Sequence, residues 1–234
     1  MKCSDCKWRK YCLPSDLSGP SLSEFEHIVH LGKKFEKEQR IYSQGSSFRS
    51  LFAIQSGSVK TQYTLTSGYT QVTAFYYPGE VIGLDAIDTD KYPGTAIALE
   101  DSIICEIPFA HLEQIAQQQP ILNQSLFKLM GREFVRDQSL LFLLGSRAAE
   151  ERVLSFLSSI AKRHTIMNPE SQQLQLSMSR TDIASFLGIS LETVSRELTK
   201  LKKNGWLELS GRNVLIHQPA NFKEYVFQLA DKTI

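Results

Sequence analysis

The stretch Ser177–Trp206, SMSRTDIASFLGISLETVSRELTKLKKNGW, decides how this 234-residue chain is read. Ser179 followed three residues later by Asp182 has the spacing of a capping box, in which a hydroxyl and a carboxylate satisfy each other's backbone N–H groups at a helix start. Gly188 then breaks the first helix, Ser190 caps a second, and Asn204-Gly205 closes it. Ile183, Phe186, Leu187, Ile189, Val194, Leu198 and Leu201 are the apolar positions that let two short helices pack across a tight turn. The pattern predicts a helix-turn-helix. Downstream, WLELSGRNVLIHQ predicts a β-hairpin turning at Ser210-Gly211-Arg212-Asn213, a wing beside the helices.

In such a module the first residues of the second helix reach base edges in the major groove. Here these are Glu192, Ser195 and Arg196, whose spacings of three and four put them on one helical face. Glu192 is expected to accept from a cytosine amino group and Arg196 to offer a bidentate pair to guanine. Lys200, Lys202, Lys203 and Arg212 are expected at phosphates, which set register without reading sequence. The competing reading is an ordinary i,i+4 ion pair between Glu192 and Arg196 on a solvated face. Capping, turn glycine, core spacing and wing all agree on the first. From Arg147 onward there are 12 Lys/Arg against 9 Asp/Glu, whereas the rest of the chain has 14 against 16.

Upstream, PILNQSLFKLMGREFVRDQSLLFLLGS predicts a long helix with Pro120 in its opening turns and Gly145 at its close. Phe127, Met130, Phe134, Asp137, Leu141 and Leu144 are spaced 3, 4, 3, 4 and 3, the seam of a helix that pairs with a copy of itself. Two symmetry-related Asp137 carboxylates in that seam would oppose pairing, which makes the helix a candidate switch. If the helix phase is shifted by one position, Asp137 simply faces water.

Between Lys33 and Phe109, glycines 45, 57, 68, 79 and 94 punctuate runs rich in β-branched and aromatic residues: SLFAIQ, SVKTQYTL, TQVTAFYY, TAIALE and SIICEIP. Turn signals every 11 to 15 residues predict an all-β sandwich or barrel. The composition, 42% hydrophobic and 22% charged, is that of a soluble globular protein. The longest unbroken apolar run, Leu140 to Leu144, is too short to span a bilayer, and the charged start has no apolar signal-peptide core. A cytoplasmic location without membrane contact is expected.

In that compartment thiols stay reduced, so the opening MKCSDCKWRKYC points to a metal or redox site. Cys3, Cys6 and Cys12 have CxxCxxxxxC spacing, and Cys105, 93 positions beyond Cys12, is the remaining cysteine. Four thiolates suit tetrahedral zinc or an iron-sulfur cluster equally. Taken alone, Cys105 also reads as a small core residue, because Ile103, Cys105 and Ile107 alternate onto one strand face. Lys2, Lys7, Arg9 and Lys10 either form a solvated face or offset the thiolate charge, and Trp8, Tyr11 and Leu13 would shield a centre there. His27, His30, His111, His164 and His217 have no metal-ligand spacing, and no nucleophile-base pair or cofactor loop stands out. An electron carrier or redox enzyme would have no use for a helix seam and a winged helix.

With both ends read, the chain resembles the CRP/FNR superfamily, and most closely the oxygen-sensing fumarate and nitrate reduction regulators. The resemblance rests on CxxCxxxxxC, on Cys105 in ICEIPF, on GREFVRDQSLLFLL and on ETVSR. It implies an α+β architecture: a cysteine-rich segment (1–16), a cyclic-nucleotide-binding-like β-roll or jelly roll (17–116), a dimerisation helix (117–145) and a winged helix-turn-helix (146–234). It further implies a 4Fe-4S cluster on Cys3, Cys6, Cys12 and Cys105, and a homodimer in the active state. That dimer would bind an inverted repeat of TTGAT-like half-sites in double-stranded DNA and act on RNA polymerase. Oxygen would convert the cluster to a 2Fe-2S form and dissociate the dimer. The alternative is a regulator of the same fold with structural zinc or a thiol redox switch. One departure is clear: GEVIGLDAIDTDKYPGTAIA has Pro93-Gly94-Thr95 where cyclic-nucleotide binders carry Arg-Ser or Arg-Thr. A buried phosphodiester would lack its bidentate partner, so no cyclic nucleotide is expected.

Overall fold

A computed structural model describes residues 2–146, 148–167, 173–211 and 213–216. The chain forms two compact units that divide at Asp137/Gln138. The first begins with two short 3-10 turns, Cys3–Asp5 and Arg9–Tyr11, followed by α1 (Gly19–Ile28). Eight strands come next: β1 (His30–Phe35), β2 (Arg40–Tyr42), β3 (Ser50–Ser56), β4 (Val59–Thr64), β5 (Thr70–Tyr76), β6 (Val81–Ile82), β7 (Thr95–Ala98) and β8 (Ser102–Pro108). Then come α2 (Phe109–Gln118) and α3 (Pro120–Ser146), the helix that runs past the division. The five strands expected from the glycine-punctuated runs are β3, β4, β5, β7 and β8. The sequence reading did not anticipate α1 or the strands β1, β2 and β6, which are short or lack an alternating pattern.

The strands form two antiparallel sheets, β1-β8-β3-β6 and β2-β7-β4-β5, the two layers of a β-roll. Period-two alternation sorts the first sheet's side chains between two cores. Phe52, Ile54, Ile82 and Ile104 point into the core shared with the second sheet, where Tyr42, Val59, Tyr92 and Ala96 are also buried. Leu51, Ala53, Val81 and Ile107 point the other way, into a core closed by Phe25 of α1, Leu112 and Ile115 of α2 and Leu122 of α3. Cys105 opposes Ala53 across the β3–β8 ladder and packs on this second core.

The β3–β4 turn allows no side chain at Gly57. Its φ is +82°, and a Cβ there would lie 2.1 Å from Ser102 Oγ, with Ser102 itself buried. A Gly57→Ala protein is expected to lose roughly 2–4 kcal/mol of stability through left-handed strain plus overpacking. Urea unfolding of the variant measures this, and an unchanged midpoint with an unchanged slope would contradict it.

The second unit contains α4 (Ala149–Met167), β9 (Gln173–Gln175), α5 (Arg180–Leu187), α6 (Leu191–Lys203), β10 (Leu207–Ser210) and β11 (Asn213–Ile216). The capping signals hold atom by atom. Ser179 Oγ accepts from Asp182 N at 3.0 Å while Asp182 Oδ2 accepts from Ser179 N at 3.0 Å. Gly188 ends α5 with φ +61°, and Ser190 Oγ accepts from Thr193 N at 3.1 Å to start α6. Ile183, Leu187, Val194, Leu198 and Leu201 are buried. The hairpin pairs Ser210 with Asn213, and β9 joins it as an unanticipated third strand in the order β10-β11-β9. Among the described residues no helix is long and apolar enough to cross a membrane.

Candidate functional site

The N-terminal segment is not a loose tail. Its two 3-10 turns are held by short-range backbone bonds such as Cys6 N to Cys3 O and Cys12 N to Arg9 O, and Ser4 N donates to Glu26 Oε1 of α1 at 2.7 Å. Arg9 ties the segment to the chain leading into α1, its guanidinium donating to the carbonyls of Pro14 and Leu17. On the other side the turn before β6 comes up against it. Gly79, with φ +93°, would place a Cβ 3.0 Å from Tyr11 Cβ.

These contacts bring Cys3, Cys6, Cys12 and Cys105 to the wall of one cavity, with about 480 Å³ of atom-free space that includes open solvent. All four thiols are free and partly buried. Burial pushes the Cys3 thiol up to about 12, with Cys105, Glu26 and Cys6 adding to the rise. Burial likewise raises Cys12 and Cys105, and neighbouring sulfurs contribute at both. The donor set is therefore all sulfur, arranged around a space. Among the described residues no three His, Cys, Asp or Glu side chains converge closely enough to hold a metal ion as they stand. Such a donor set fits tetrahedral zinc or an iron-sulfur cluster.

The basic residues near the thiols divide. Lys7 and Lys10 lie over the rings of Trp8 and Tyr11 at 4.7 and 4.8 Å, whereas Lys2 and Arg9 line the cavity. Trp8 and Leu13 are buried, and Tyr11 is half-buried.

The thiol wall and α3 share a hydrophobic core. Leu13 and Leu17, one and five residues after Cys12, are fully buried in one cluster with Leu122 and Leu129 of α3, and Cys3, Cys12, Cys105 and Leu126 pack on the same cluster. Full burial of a leucine is worth about 1.5–3 kcal/mol, so this contact is strong enough to hold segment and helix together. An exposed ion pair, Asp16 to Lys128 at 2.9 Å, adds direction more than energy.

Further along α3 the inward face turns polar. Glu133 and Arg136 pair with each other, Tyr76 Oη donates to Glu133 Oε2 at 3.4 Å, and the Arg136 guanidinium lies 4.3 Å from the Tyr76 ring centre. Burial pushes the Glu133 carboxyl up to about 7, although Arg136 pulls it down. That value lies above the unfolded value of about 4.3, so the folded unit holds the extra proton between the two. Stability from this group is fully present below about pH 4 and is lost as pH rises through 7. Urea midpoints at pH 5 and pH 8 should therefore differ less in Glu133→Gln than in the parent protein. Equal pH slopes in the two proteins would refute the assignment.

Along the adjacent stripe of the helix, Phe127 (71%), Phe134 (64%) and Leu141 (63%) are exposed, with Met130 also exposed and Leu144 half-buried. Asp137 lies exposed in that same heptad series, close enough to Asp85 and Glu133 to raise both carboxyls.

In the second unit, Glu192 and Arg196 stand exposed on α6 and Ser195 is half-buried. The expected alternative pair is not formed. Arg196 Nε donates to Glu197 Oε1 at 3.2 Å, not to Glu192, whose carboxylate is held below its usual range by backbone and Ser190 hydrogen bonds. Lys200 is engaged with Glu150 of α4, so a phosphate contact from it requires that pair to open. Lys202 and Lys203 are exposed, and Arg212 lies outside the described residues. Sequence reasoning missed Glu197, because an acid next to a candidate base-reading arginine has no spacing signature of its own.

Residues 32–119 match the cyclic nucleotide-binding domain family, and residues 151–225 match the Crp-like helix-turn-helix domain. A β-roll and a winged helix-turn-helix in one chain define a DNA-binding transcription regulator, not an enzyme. The chain belongs to the CRP/FNR superfamily of these regulators. It is 38% identical to the transcriptional activator protein anr of Pseudomonas aeruginosa over 92% of this chain and 88% of that protein. It is 36% identical to the fumarate and nitrate reduction regulatory protein of Vibrio cholerae over 95% and 89%. Among solved structures, FixK2 from Bradyrhizobium japonicum superposes with a TM-score of 0.75 at 28% identity, covering 83% of this chain and 97% of that one.

Proposed function

We propose that this protein is an oxygen-responsive regulator of anaerobic gene expression that holds a 4Fe-4S cluster on Cys3, Cys6, Cys12 and Cys105. The observation that carries the proposal is the single cavity walled by all four thiols, three of them packed on the core that seats α3. Relatives named anaerobic regulatory protein in Haemophilus influenzae and Pasteurella multocida, each 35% identical over 92% of this chain, support the oxygen reading. Held by Cys3, Cys6, Cys12 and Cys105, the cluster would supply oxygen-labile redox chemistry.

The protein's own residues translate that state. Cys3, Cys6 and Cys12 would fix the two 3-10 turns against Cys105 of β8, and Leu13 and Leu17 link their position to Leu122 and Leu129 of α3. With α3 seated, Phe127, Met130, Phe134, Leu141 and Leu144 are covered by the same face of a second copy. Asp137 supplies the opposing term that keeps the pair apart when the cluster is lost. A dimer then presents two α6 helices to an inverted repeat of TTGAT-like half-sites, with Glu192, Ser195 and Arg196 at the bases. Lys200 and Arg212 meet phosphates, and family membership supplies RNA polymerase as the further partner. The β-roll interior works without a cyclic nucleotide, a reading supported by the Tyr42, Phe52 and Tyr92 rings that fill it, with Tyr42 and Tyr92 centres 4.0 Å apart.

Footprinting of anaerobically reconstituted protein, before and after air, tests the proposal. A protected inverted repeat that is lost in air as brown colour bleaches is the expected result. Colourless, zinc-loaded protein with the same footprint in air would replace it with the structural-zinc alternative.

A further inference from the structure

Glu197 is the one charged side chain that α6 buries, at 7% exposure, on the face it shares with Val194, Leu198 and Leu201. Among the described residues its Oε2 has no hydrogen-bond partner, and its Oε1 has only the Nε–H of Arg196. A carboxylate half-satisfied among apolar side chains is costly, and a hydrophobic residue of similar volume in such a place is often neutral or stabilising. Packing therefore does not account for the acid. Its one contact does.

Neighbouring residues on a helix point about 100° apart, so the Arg196 side chain has to bend back along the helix to make this bond. The arginine stays outward in other respects, its side chain 67% exposed against 10% for Glu197. With Nε–H occupied, the free donors are the two Nη groups. Guanine offers O6 and N7 as a pair of acceptors in the major groove, and arginine meets them with two parallel N–H groups. Of the arginine's two paired edges, the one using Nε is taken and the end-on Nη1/Nη2 edge remains.

We infer that Glu197 is a positioning residue for base reading: it buttresses Arg196 so that the guanidinium presents its Nη edge to one guanine in each half-site. The inference rests on the reading of Arg196 as a base contact. Two effects come from one bond. Restricting the guanidinium before binding lowers the ordering cost of the specific contact. Partial neutralisation weakens the pull of Arg196 toward phosphates anywhere on DNA. Glu197 thus raises discrimination from both sides, as a merely structural acid would not.

The test uses full-length, anaerobically reconstituted protein and three variants, Glu197→Leu, Glu197→Gln and Arg196→Ala. The probes are a duplex with the TTGAT inverted repeat and one with the guanine of each half-site replaced by adenine. Glu197→Leu is expected to melt no lower than the parent, while the affinity ratio between the duplexes falls roughly 5-fold or more, the size of one bidentate base contact. Binding to the substituted duplex holds or tightens. Glu197→Gln, which keeps an acceptor for Nε–H, recovers most of the ratio. An unchanged ratio in Glu197→Leu alongside its collapse in Arg196→Ala would overturn the role of Glu197 and leave the arginine's intact. An equal loss on both duplexes with a lowered melting temperature would make Glu197 structural. An intact ratio in Arg196→Ala would instead remove the underlying base-contact reading.

Discussion

Cys105→Ser protein prepared without oxygen should be colourless and monomeric, and should bind the inverted repeat at least roughly 100-fold more weakly than the parent. The size comes from geometry. A dimer places its second α6 beside the second half-site at high effective concentration, which is worth about 10²- to 10⁴-fold in affinity, and a monomer forfeits all of it. Cys105 is the informative position because it stands on β8, opposite Ala53 in the β3–β8 ladder, while the other three thiols stand on or beside two short turns. A serine there leaves the sheet intact, so the β-roll should unfold at nearly the parent's urea midpoint. Visible absorption, sedimentation velocity and a gel-shift titration on one preparation make the comparison. A brown, dimeric Cys105→Ser protein would exclude Cys105 as a ligand.

Asp137→Ala should do the reverse, forming dimers in air. Asp137 lies in the heptad series of exposed apolar residues on α3 and already lifts the carboxyls of Asp85 and Glu133 within its own chain. Bringing two such faces together desolvates a second copy of the same charge. Removing it should favour association by about 1–3 kcal/mol, roughly a 5- to 150-fold lower dimer Kd. Aerobic sedimentation across a concentration series reads this directly. If Asp137→Ala stays monomeric in air at every concentration where the anaerobic parent dimerises, Asp137 is outside the seam and the helix face is rotated from the one inferred. The Phe134→Glu variant provides the matching loss, because a charge in place of a 64%-exposed ring should block pairing in both gas phases.

The two ends of the chain differ in how much of their structure is local. At Ser179, Asp182, Gly188 and Ser190 each signal acts on atoms within three or four residues, so the helix-turn-helix was readable from side-chain chemistry alone. The hairpin at Gly211 was readable for the same reason. The β-roll was legible as a class, because alternating runs and turn glycines report local geometry, but its pairing order was not. Strands β1 and β8 lie far apart in the chain, His30 pairing with Glu106, and no local pattern records that contact.

By itself, then, the sequence determined the two classes of module and the positions of the helix caps in the helix-turn-helix. Tertiary structure decided what depends on distant neighbours. It set Cys105 beside a segment 93 positions away, made Leu13 and Leu17 part of the core that holds α3, and turned Arg196 from Glu192 to the buried Glu197. The physical reason is common to all three. Burial is a property of everything that surrounds a side chain, and what surrounds it is chosen by the packing of the whole unit, not by the residues next to it.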